Sequence, residues 1–287
     1  MNKQALSERD ICTKIINPAI QKAGWDIQTQ VREEYTFTDG RVIVRGNITT
    51  RGTKKRADYL LFYKTNLPIA VIEAKDNKHN LGDGLQQGIE YAQILDIPFV
   101  YSSNGDGFIE HDMKQGTERE LSLDEFPGPE ELWNRYKGIK EIKPEQEEII
   151  TEPYYFAPKD KIPRYYQRIA INRTIEAISK GQERILLVMA TGTGKTYVAF
   201  QIIWRLWKSR KARKILYLAD RNILIDQTIQ NDFAPLKKVM TKIENRTLDS
   251  SYEIYMSLYH QLAGEESIEI FRQFSPDFFD LIIVDEL

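Results

Sequence analysis

The stretch Ile185-Leu-Leu-Val-Met-Ala-Thr-Gly-Thr-Gly-Lys-Thr196 constrains this chain more than any other. Its apolar run from Ile185 to Val188 predicts a short buried strand. A glycine-rich loop follows, and Lys195-Thr196 opens an apolar pattern at helical spacing: Val198, Ala199, Ile202, Ile203, Leu206. Strand, glycine loop and helix in this order form a phosphate cradle. Thr191, Gly192, Thr193 and Gly194 turn backbone N–H groups inward, and the helix N-terminus adds its positive dipole end. Lys195 is placed to reach β- and γ-phosphates, and the Thr196 hydroxyl to ligate Mg²⁺. The strict G-x-x-x-x-G-K-[ST] pattern has glycine where Met189 stands, so an ordinary strand-to-helix loop is the plain alternative.

A second apolar strand, Leu281 to Val284, ends in Asp285-Glu286. Paired acids there match a Walker B arrangement, with Asp285 on Mg²⁺ and Glu286 polarising the attacking water. At 287 residues, two domains are the natural expectation. The chain has no apolar run long enough to span a bilayer and no export leader at Met1, which predicts a cytoplasmic protein without membrane attachment. One cysteine, Cys12, suits a reducing compartment, and Ile11, Ile15 and Ile16 around it predict a core thiol. Net charge is −2, but basic clusters stand at 51–56 and 208–214, each able to meet phosphate or simply to be a solvated face.

Residues 7–22 read as a helix that Pro18 should kink or split in two. Strands follow near 31–44 (with Asp39-Gly40 as a turn), 57–63, 68–75 and 97–101, with a helix over about 85–95. After a short helix at 130–136, the acidic tract 141–152 and the proline-rich 153–163 predict an interdomain linker. A helix at 165–178, strands at 215–219, 253–256 and 281–284, and a helix after Asn222 complete an α/β pattern with a mostly parallel, doubly wound sheet.

Asp58 interrupts an apolar strand, and Glu73 and Lys75 end the next, projecting on one face. A hairpin would set Asp58 beside Glu73, where two carboxylates repel unless a cation sits between them. Hard oxygen ligands suit Mg²⁺. A salt bridge between Glu73 and Lys75 explains the same residues without chemistry.

Asp58 followed by Glu73-x-Lys75 resembles the D…(D/E)xK signature of restriction-endonuclease-like nucleases. Gln87 and Tyr91 add a Q-x-x-x-Y pattern of helicase-linked members, on one helix face where they would support the site. The opening helix is similar to the first helix of restriction nuclease domains, which implies a supporting role for an acid, Glu8 first and Glu33 or Glu34 as competitors. The Arg164-Tyr-Tyr-Gln167 segment resembles the adenine-reading Q motif of superfamily 2 helicases, with Gln167 as reader and Arg164 beside it; a polar helix-surface glutamine is the alternative. Met189 to Thr196 is spelled as in restriction motors, Leu216 to Gln227 resembles motif Ia, and Ser257 to Leu262 loosely matches the segment before motif II.

Together these motifs resemble the restriction (R) subunit of a type I restriction–modification enzyme. The resemblance implies a PD-(D/E)xK-type nuclease domain over 1–140, a linker over 141–162, and over 163–287 a first RecA-like lobe that stops at motif II, with a second lobe expected beyond. It implies ATP and Mg²⁺ as cofactors, with Asp58, Glu73 and the Ala74 carbonyl holding the nuclease ion and Thr196 and Asp285 the ATP ion. Partners implied are double-stranded DNA and methylase and specificity subunits. A non-cleaving DNA-remodelling ATPase is the alternative of a different class. A type III restriction subunit is disfavoured because its nuclease usually follows the motor.

Overall fold

The computed structural model describes residues 3–38, 42–45, 48–51, 53–156, 162–219, 232–243, 249–258 and 274–285. Among these the chain is mixed α/β and divides by its contacts into two units: 1–147 with 163–169, and 148–162 with 170–287.

The first unit opens with α1 (Glu8–Ile11), a wide π turn over Cys12–Ile16 and α2 (Asn17–Lys22). Ser7 and Asp10 cap α1 reciprocally, and Pro18 sits in the first turn of α2, where its missing N–H costs nothing. The helical path therefore runs unbroken from Glu8 to Lys22, with the π turn just before the proline and no split. Cys12 is buried, and that burial pushes its thiol up to about 11.

A six-stranded sheet follows: β1 (Val31–Thr38), β4 (Lys54–Lys64), β5 (Leu67–Ala74), β6 (Phe99–Ser103), β7 (Gly107–Asp112) and β8 (Thr117–Ser122), in the order β1-β4-β5-β6-β7-β8. Between β1 and β4 the chain forms a separate two-stranded ribbon, β2 (Val42–Arg45) with β3 (Ile48–Arg51). The Asp39-Gly40 turn lies outside the described residues. Only the β5–β6 pair is parallel, because α3 (Leu85–Leu95) makes the crossover between them. Strands β7 and β8 went unread in the sequence: in β8 every residue but Leu121 is polar and exposed, so no apolar alternation announces it.

Packed between α3 and the sheet are Phe37, Leu60, Phe62, Val71, Leu85, Tyr91, Ala92, Leu95 and Val100. A buried carboxylate, Glu110 on β7, accepts paired hydrogen bonds from both Arg119 and Arg135 and a further one from the Tyr101 hydroxyl. Burial raises the Glu110 pKa, but the two guanidinium groups outweigh it and hold it at about 2. The helix α4 (Pro129–Lys140) supplies Arg135. The acidic tract expected as linker forms α5 (Pro144–Thr151).

The second unit holds α7 (Lys195–Lys208) and a four-stranded, all-parallel sheet in the order β10-β11-β9-β12: β9 (Ile215–Ala219), β10 (Met240–Lys242), β11 (Ile254–Leu258), β12 (Leu281–Asp285). Its helix α6 (Tyr165–Ser179) belongs to this unit from Ala170 onward. The expected helix after Asn222 lies outside the described residues. One expectation is overturned. Residues 185–188 are not a buried strand: they pair with no strand, and Leu186 and Val188 are 83% and 87% exposed. Apolar composition marks a segment able to enter a sheet, but a strand exists only where a neighbour supplies hydrogen bonds, and among the described residues none does.

Two buried polar side chains one turn apart on α7 fasten the segment preceding α6. Gln201 bonds the backbone of Tyr155 in both directions, at 2.9 Å and 3.1 Å. Arg205, 0% exposed, donates to the carbonyls of Ile149 and Ile150 and to Asn172 on α6, and stacks over Tyr154. Among the described residues no helix is long and apolar enough to cross a membrane.

Two stability tests follow. Arg205→Met strands those carbonyls, and a loss of about 2–4 kcal/mol is expected in urea unfolding. Glu110 binds its proton less readily folded (about 2) than unfolded (ordinarily near 4.5), so its contribution is present above pH 4.5 and lost as pH falls toward 2. Acid titration of wild type against Glu110→Gln should show the steeper loss in wild type.

Candidate functional site

Strands β4 and β5 run antiparallel with Tyr59 opposite Ile72, which sets Asp58 beside the Glu73 end of β5. Asp58 Oδ2 accepts from the Ala74 N–H at 2.8 Å. Glu73 is 0% exposed, and its Oε1 has no hydrogen-bond partner. Its Oε2 accepts from Gln87 Nε2 at 2.7 Å. The same nitrogen lies 3.1 Å from the Tyr91 hydroxyl, and Gln87 Oε1 accepts from Lys75 Nζ at 3.4 Å. The Gln87 amide thus stands between Glu73 and Lys75, instead of the direct salt bridge that the sequence also allowed.

Local sequence makes this approach possible. On Gly84, at the start of α3, a Cβ would fall 3.0 Å from the Glu73 Cβ and 2.9 Å from Ser102 Oγ. On Gly88, one turn later, it would fall 2.5 Å from Val100 Cγ1 and 3.5 Å from Glu73 Cγ. Two glycines let the helix lie against β5 at Glu73 and bring Gln87 onto its carboxylate.

Burial, and then the neighbouring Asp58, raise the Glu73 pKa to about 9 despite Lys75. A desolvated carboxylate with one unmet oxygen facing a second carboxylate is the arrangement a divalent cation relieves. The donor set is all oxygen, which fits a hard ion such as Mg²⁺. Among the described residues no third acid, histidine or cysteine joins them closely enough to make a three-residue metal group. Glu8 begins α1, one turn before Cys12, and both Glu8 and Asp58 act on the Cys12 thiol. Glu33 accepts from Asn17, and Glu34 pairs with Arg9 and Arg56.

In the second unit, Gly192 and Gly194 have φ of 78° and 85°, a region that glycine enters without strain. Thr193 Oγ1 donates to the Ala190 carbonyl at 2.5 Å, closing the loop between Thr191 and Lys195. Helix α7 then begins at Lys195, with Val198 N–H bonded back to the Gly194 carbonyl. Tyr217 on β9 reaches the Asp285 end of this site: its hydroxyl donates to Asp285 Oδ2. Sequence reading missed Tyr217, a tyrosine amid apolar neighbours in a buried strand; only the parallel register of β9 with β12, Tyr217 opposite Ile283, reveals its place. Glu286 lies outside the described residues, as do Asp220 to Gln227 of the motif Ia resemblance and Tyr259 to Leu262 of the segment before motif II.

Arg164 and Gln167 fall by their contacts in the first unit. Gln167 Oε1 accepts from the Arg164 N–H at 2.9 Å, the reach-back bond of a helix N-terminus, and Arg164 donates to the Tyr166 hydroxyl at 3.0 Å. The basic cluster 208–214 has structural partners: Lys208 lies over Trp204 and Trp207, and Lys214 donates to the Ser250 and Tyr252 carbonyls.

Without divalent ions, the raised Glu73 value makes the folded chain hold a proton that the unfolded chain releases between about pH 4.5 and 9. Stability therefore falls as pH rises through that window. Glu73→Gln should remove the dependence and lift the thermal midpoint at pH 8 by roughly 5 °C, leaving it unchanged at pH 4. Differential scanning calorimetry in chelator checks this.

Residues 27–127 match a family model described as type I restriction enzyme R protein N terminus, and residues 160–287 match one described as type III restriction enzyme, res subunit. The whole chain is 55% identical to the type I restriction enzyme EcoAI endonuclease subunit of Escherichia coli, spanning 36% of that protein. It is 30% identical over 75% of its length to the EcoKI endonuclease subunit of Escherichia coli strain K12, spanning 23% of it. A solved fragment of an HsdR subunit of a type I restriction enzyme from Vibrio vulnificus YJ016 superposes with a TM-score of 0.80 at 42% identity, over 98% of this chain and 52% of that one. The chain therefore spans about a third or less of the curated relatives it matches. An N-terminal R-protein match, a restriction-type motor match and whole-length likeness to an endonuclease subunit agree: this chain belongs to the R (HsdR) subunits of type I restriction enzymes.

Proposed function

We propose that this chain carries the nuclease and the first motor lobe of a subunit that uses ATP to translocate double-stranded DNA and cleaves it by Mg²⁺-dependent phosphodiester hydrolysis. In this reading 1–140 is a PD-(D/E)xK-type nuclease domain, 141–162 the linker and 163–287 a RecA-like lobe. The subunit works in the cytoplasm, assembled with methylase and specificity subunits. The observation that carries the nuclease assignment is the buried Glu73 carboxylate, with an unmet oxygen beside Asp58. A module that merely bound DNA would gain nothing from that desolvated acid pair.

Asp58, Glu73 and the Ala74 carbonyl would hold Mg²⁺, which when bound supplies the charge that acidifies a water and offsets charge on the phosphate. Lys75 directs its ammonium at the same place and positions the attacking water. Gln87 orients Glu73 and Lys75 together through its two amide atoms, and Tyr91 holds the amide in that rotamer. Glu8 is the supporting acid on the opening helix.

In the motor, backbone N–H groups of Thr191 to Gly194 cradle the phosphates, Lys195 meets the β- and γ-phosphates, and Thr196 and Asp285 hold the second Mg²⁺. Glu286 polarises water. Gln167 reads adenine, with Arg164 beside it. Tyr217 orients Asp285 by donating its hydroxyl to the carboxylate.

In the intact subunit assembled with its partners, Glu73→Ala or Lys75→Ala should lower DNA cleavage by about 10²–10⁴-fold while leaving ATP hydrolysis in place. Lys195→Ala should abolish both. Cleavage persisting in Lys75→Ala would refute the nuclease assignment. Tyr217→Phe should weaken Mg²⁺-nucleotide binding by roughly 3–10-fold in calorimetric titration, the size of one lost hydrogen bond.

A further inference from the structure

The segment from Asp76 to Gly84 leaves the acid site and returns to it. It starts directly after Lys75, and at its far end a Cβ on Gly84 would fall 3.0 Å from the Glu73 Cβ. Polar side chains buried where β6 ends hold the segment in between. Ser102 Oγ accepts from the Gly84 N–H at 3.1 Å and donates to the Leu81 carbonyl at 2.7 Å. Asn104, 6% exposed, donates to the His79 carbonyl at 2.9 Å, and its own carbonyl accepts from the Asn77 side chain. Both acids of the segment bond within it. Asp83 accepts from the Asn80 N–H, and Asp76 Oδ1 accepts from the Lys78 N–H at 3.0 Å and from His79 Nδ1 at 2.9 Å. Three consecutive residues, Lys78, His79 and Asn80, are exposed.

We propose that Lys78 and His79 grip a backbone phosphate of the strand being cut, held beside the acid pair by this segment. The inference rests on the nuclease reading above for its substrate. A carboxylate only accepts, so the His79 nitrogen that meets Asp76 bears hydrogen, and Nε2 is the ring's other polar edge. The ring is oriented yet open to solvent, with 51% of its side-chain surface exposed. Doubly protonated, it donates through both nitrogens and bridges Asp76 to a phosphate oxygen. Lys78 adds a mobile ammonium beside it. A turn serving the fold alone would be complete without the ring, because the same Asp76 oxygen already caps the Lys78 N–H. Nor do Asp76 and His79 make a metal centre: among the described residues no group of three such ligands includes them.

Reach agrees with this. The His79 N–H bonds back to the Asp76 carbonyl at 3.1 Å, closing a four-residue turn. Such a turn keeps its end Cα atoms within about 7 Å, and one more residue adds about 3.8 Å. The His79 Cα therefore stands at most about 11 Å from the Lys75 Cα. A strand of duplex rises about 3.4 Å per nucleotide, so the grip falls within about three nucleotides of the bond presented to Asp58 and Glu73. Contacts of this kind fix the register of the backbone and carry no sequence information.

The test is anisotropy of a labelled duplex of about 30 base pairs with this chain, in chelator, across a salt series. Lys78→Ala with His79→Ala should weaken binding about five- to tenfold near 0.1 M salt. It should also flatten the dependence of log affinity on log salt by about 1–2, the share of one phosphate contact from each residue. Lys78→Arg with His79→Lys should keep the slope. If the alanine pair lowers the thermal midpoint, Lys78→Gln with His79→Gln takes its place in the comparison. Unchanged affinity and slope overturn the proposal, as does a parent chain that binds no duplex. An equal loss from Lys114→Ala with Lys143→Ala, exposed lysines elsewhere in the first unit, overturns it too, because it marks a general effect of charge. Cleavage by the assembled subunit separates the two readings. If Glu73→Ala still cuts, the nuclease assignment fails, and the salt slope in chelator, which needs no cleavage, still judges the grip. If Glu73→Ala abolishes cutting while the Lys78 and His79 pair leaves affinity and slope unchanged, the grip alone fails.

Discussion

A carboxylate taken out of water beside another carboxylate is the constraint that shapes the first unit. Glu73 sits at the end of β5 with one oxygen bonded to Gln87 and the other unmet. Leaving an acid so placed is costly, and the raised pKa is the measure of that cost. The fold around it is arranged to keep it there. Gly84 and Gly88 remove the two Cβ atoms that would push α3 off the strand, and Tyr91 beneath Gln87 belongs to the same apolar cluster that holds α3 on the sheet. Packing and chemistry thus share one helix.

In the second unit the equivalent control comes from polar groups buried on α7 and β9. The helix that begins at Lys195 carries Gln201 and Arg205 inward, where they bond backbone of the segment from Ile149 to Tyr155. Anything that shifts α7 at its phosphate-loop end acts on a rigid rod whose middle is tied to that segment. Tyr217 makes the complementary tie from β9 onto Asp285 at the end of β12. The segment 185–188 and the strand β12 both expose apolar side chains, Leu186, Val188, Ile282 and Val284.

Much of the architecture was legible. Strands β4, β5, β9 and β11, helices α3 and α7 and the opening helix follow from apolar periodicity and a capping serine. The acid pair and its lysine were visible because charges interrupt or end apolar strands. What periodicity could not show were polar side chains buried for tertiary reasons: Glu110 between two arginines, Arg205 against carbonyls, Tyr217 against an aspartate. Each looks like an ordinary surface or core residue until its partners, 9 to 68 positions away, are placed. The basic clusters show the same limit. In one, Lys208 and Lys214 are spoken for by tryptophans and carbonyls, and the other passes from the end of β3 into the start of β4.

By itself the sequence determined which residues can do chemistry, since residue type and spacing set charge, ligand hardness and the turn that glycine permits. Tertiary structure alone decided their state. It put the Gln87 amide between Glu73 and Lys75, where sequence allowed a plain salt bridge, and it withheld from residues 185–188 the neighbour that a strand needs. The reason is the same in both cases. A hydrogen bond or a desolvation penalty belongs to a pair of groups in space, and the pairing is made by packing, which no local pattern contains.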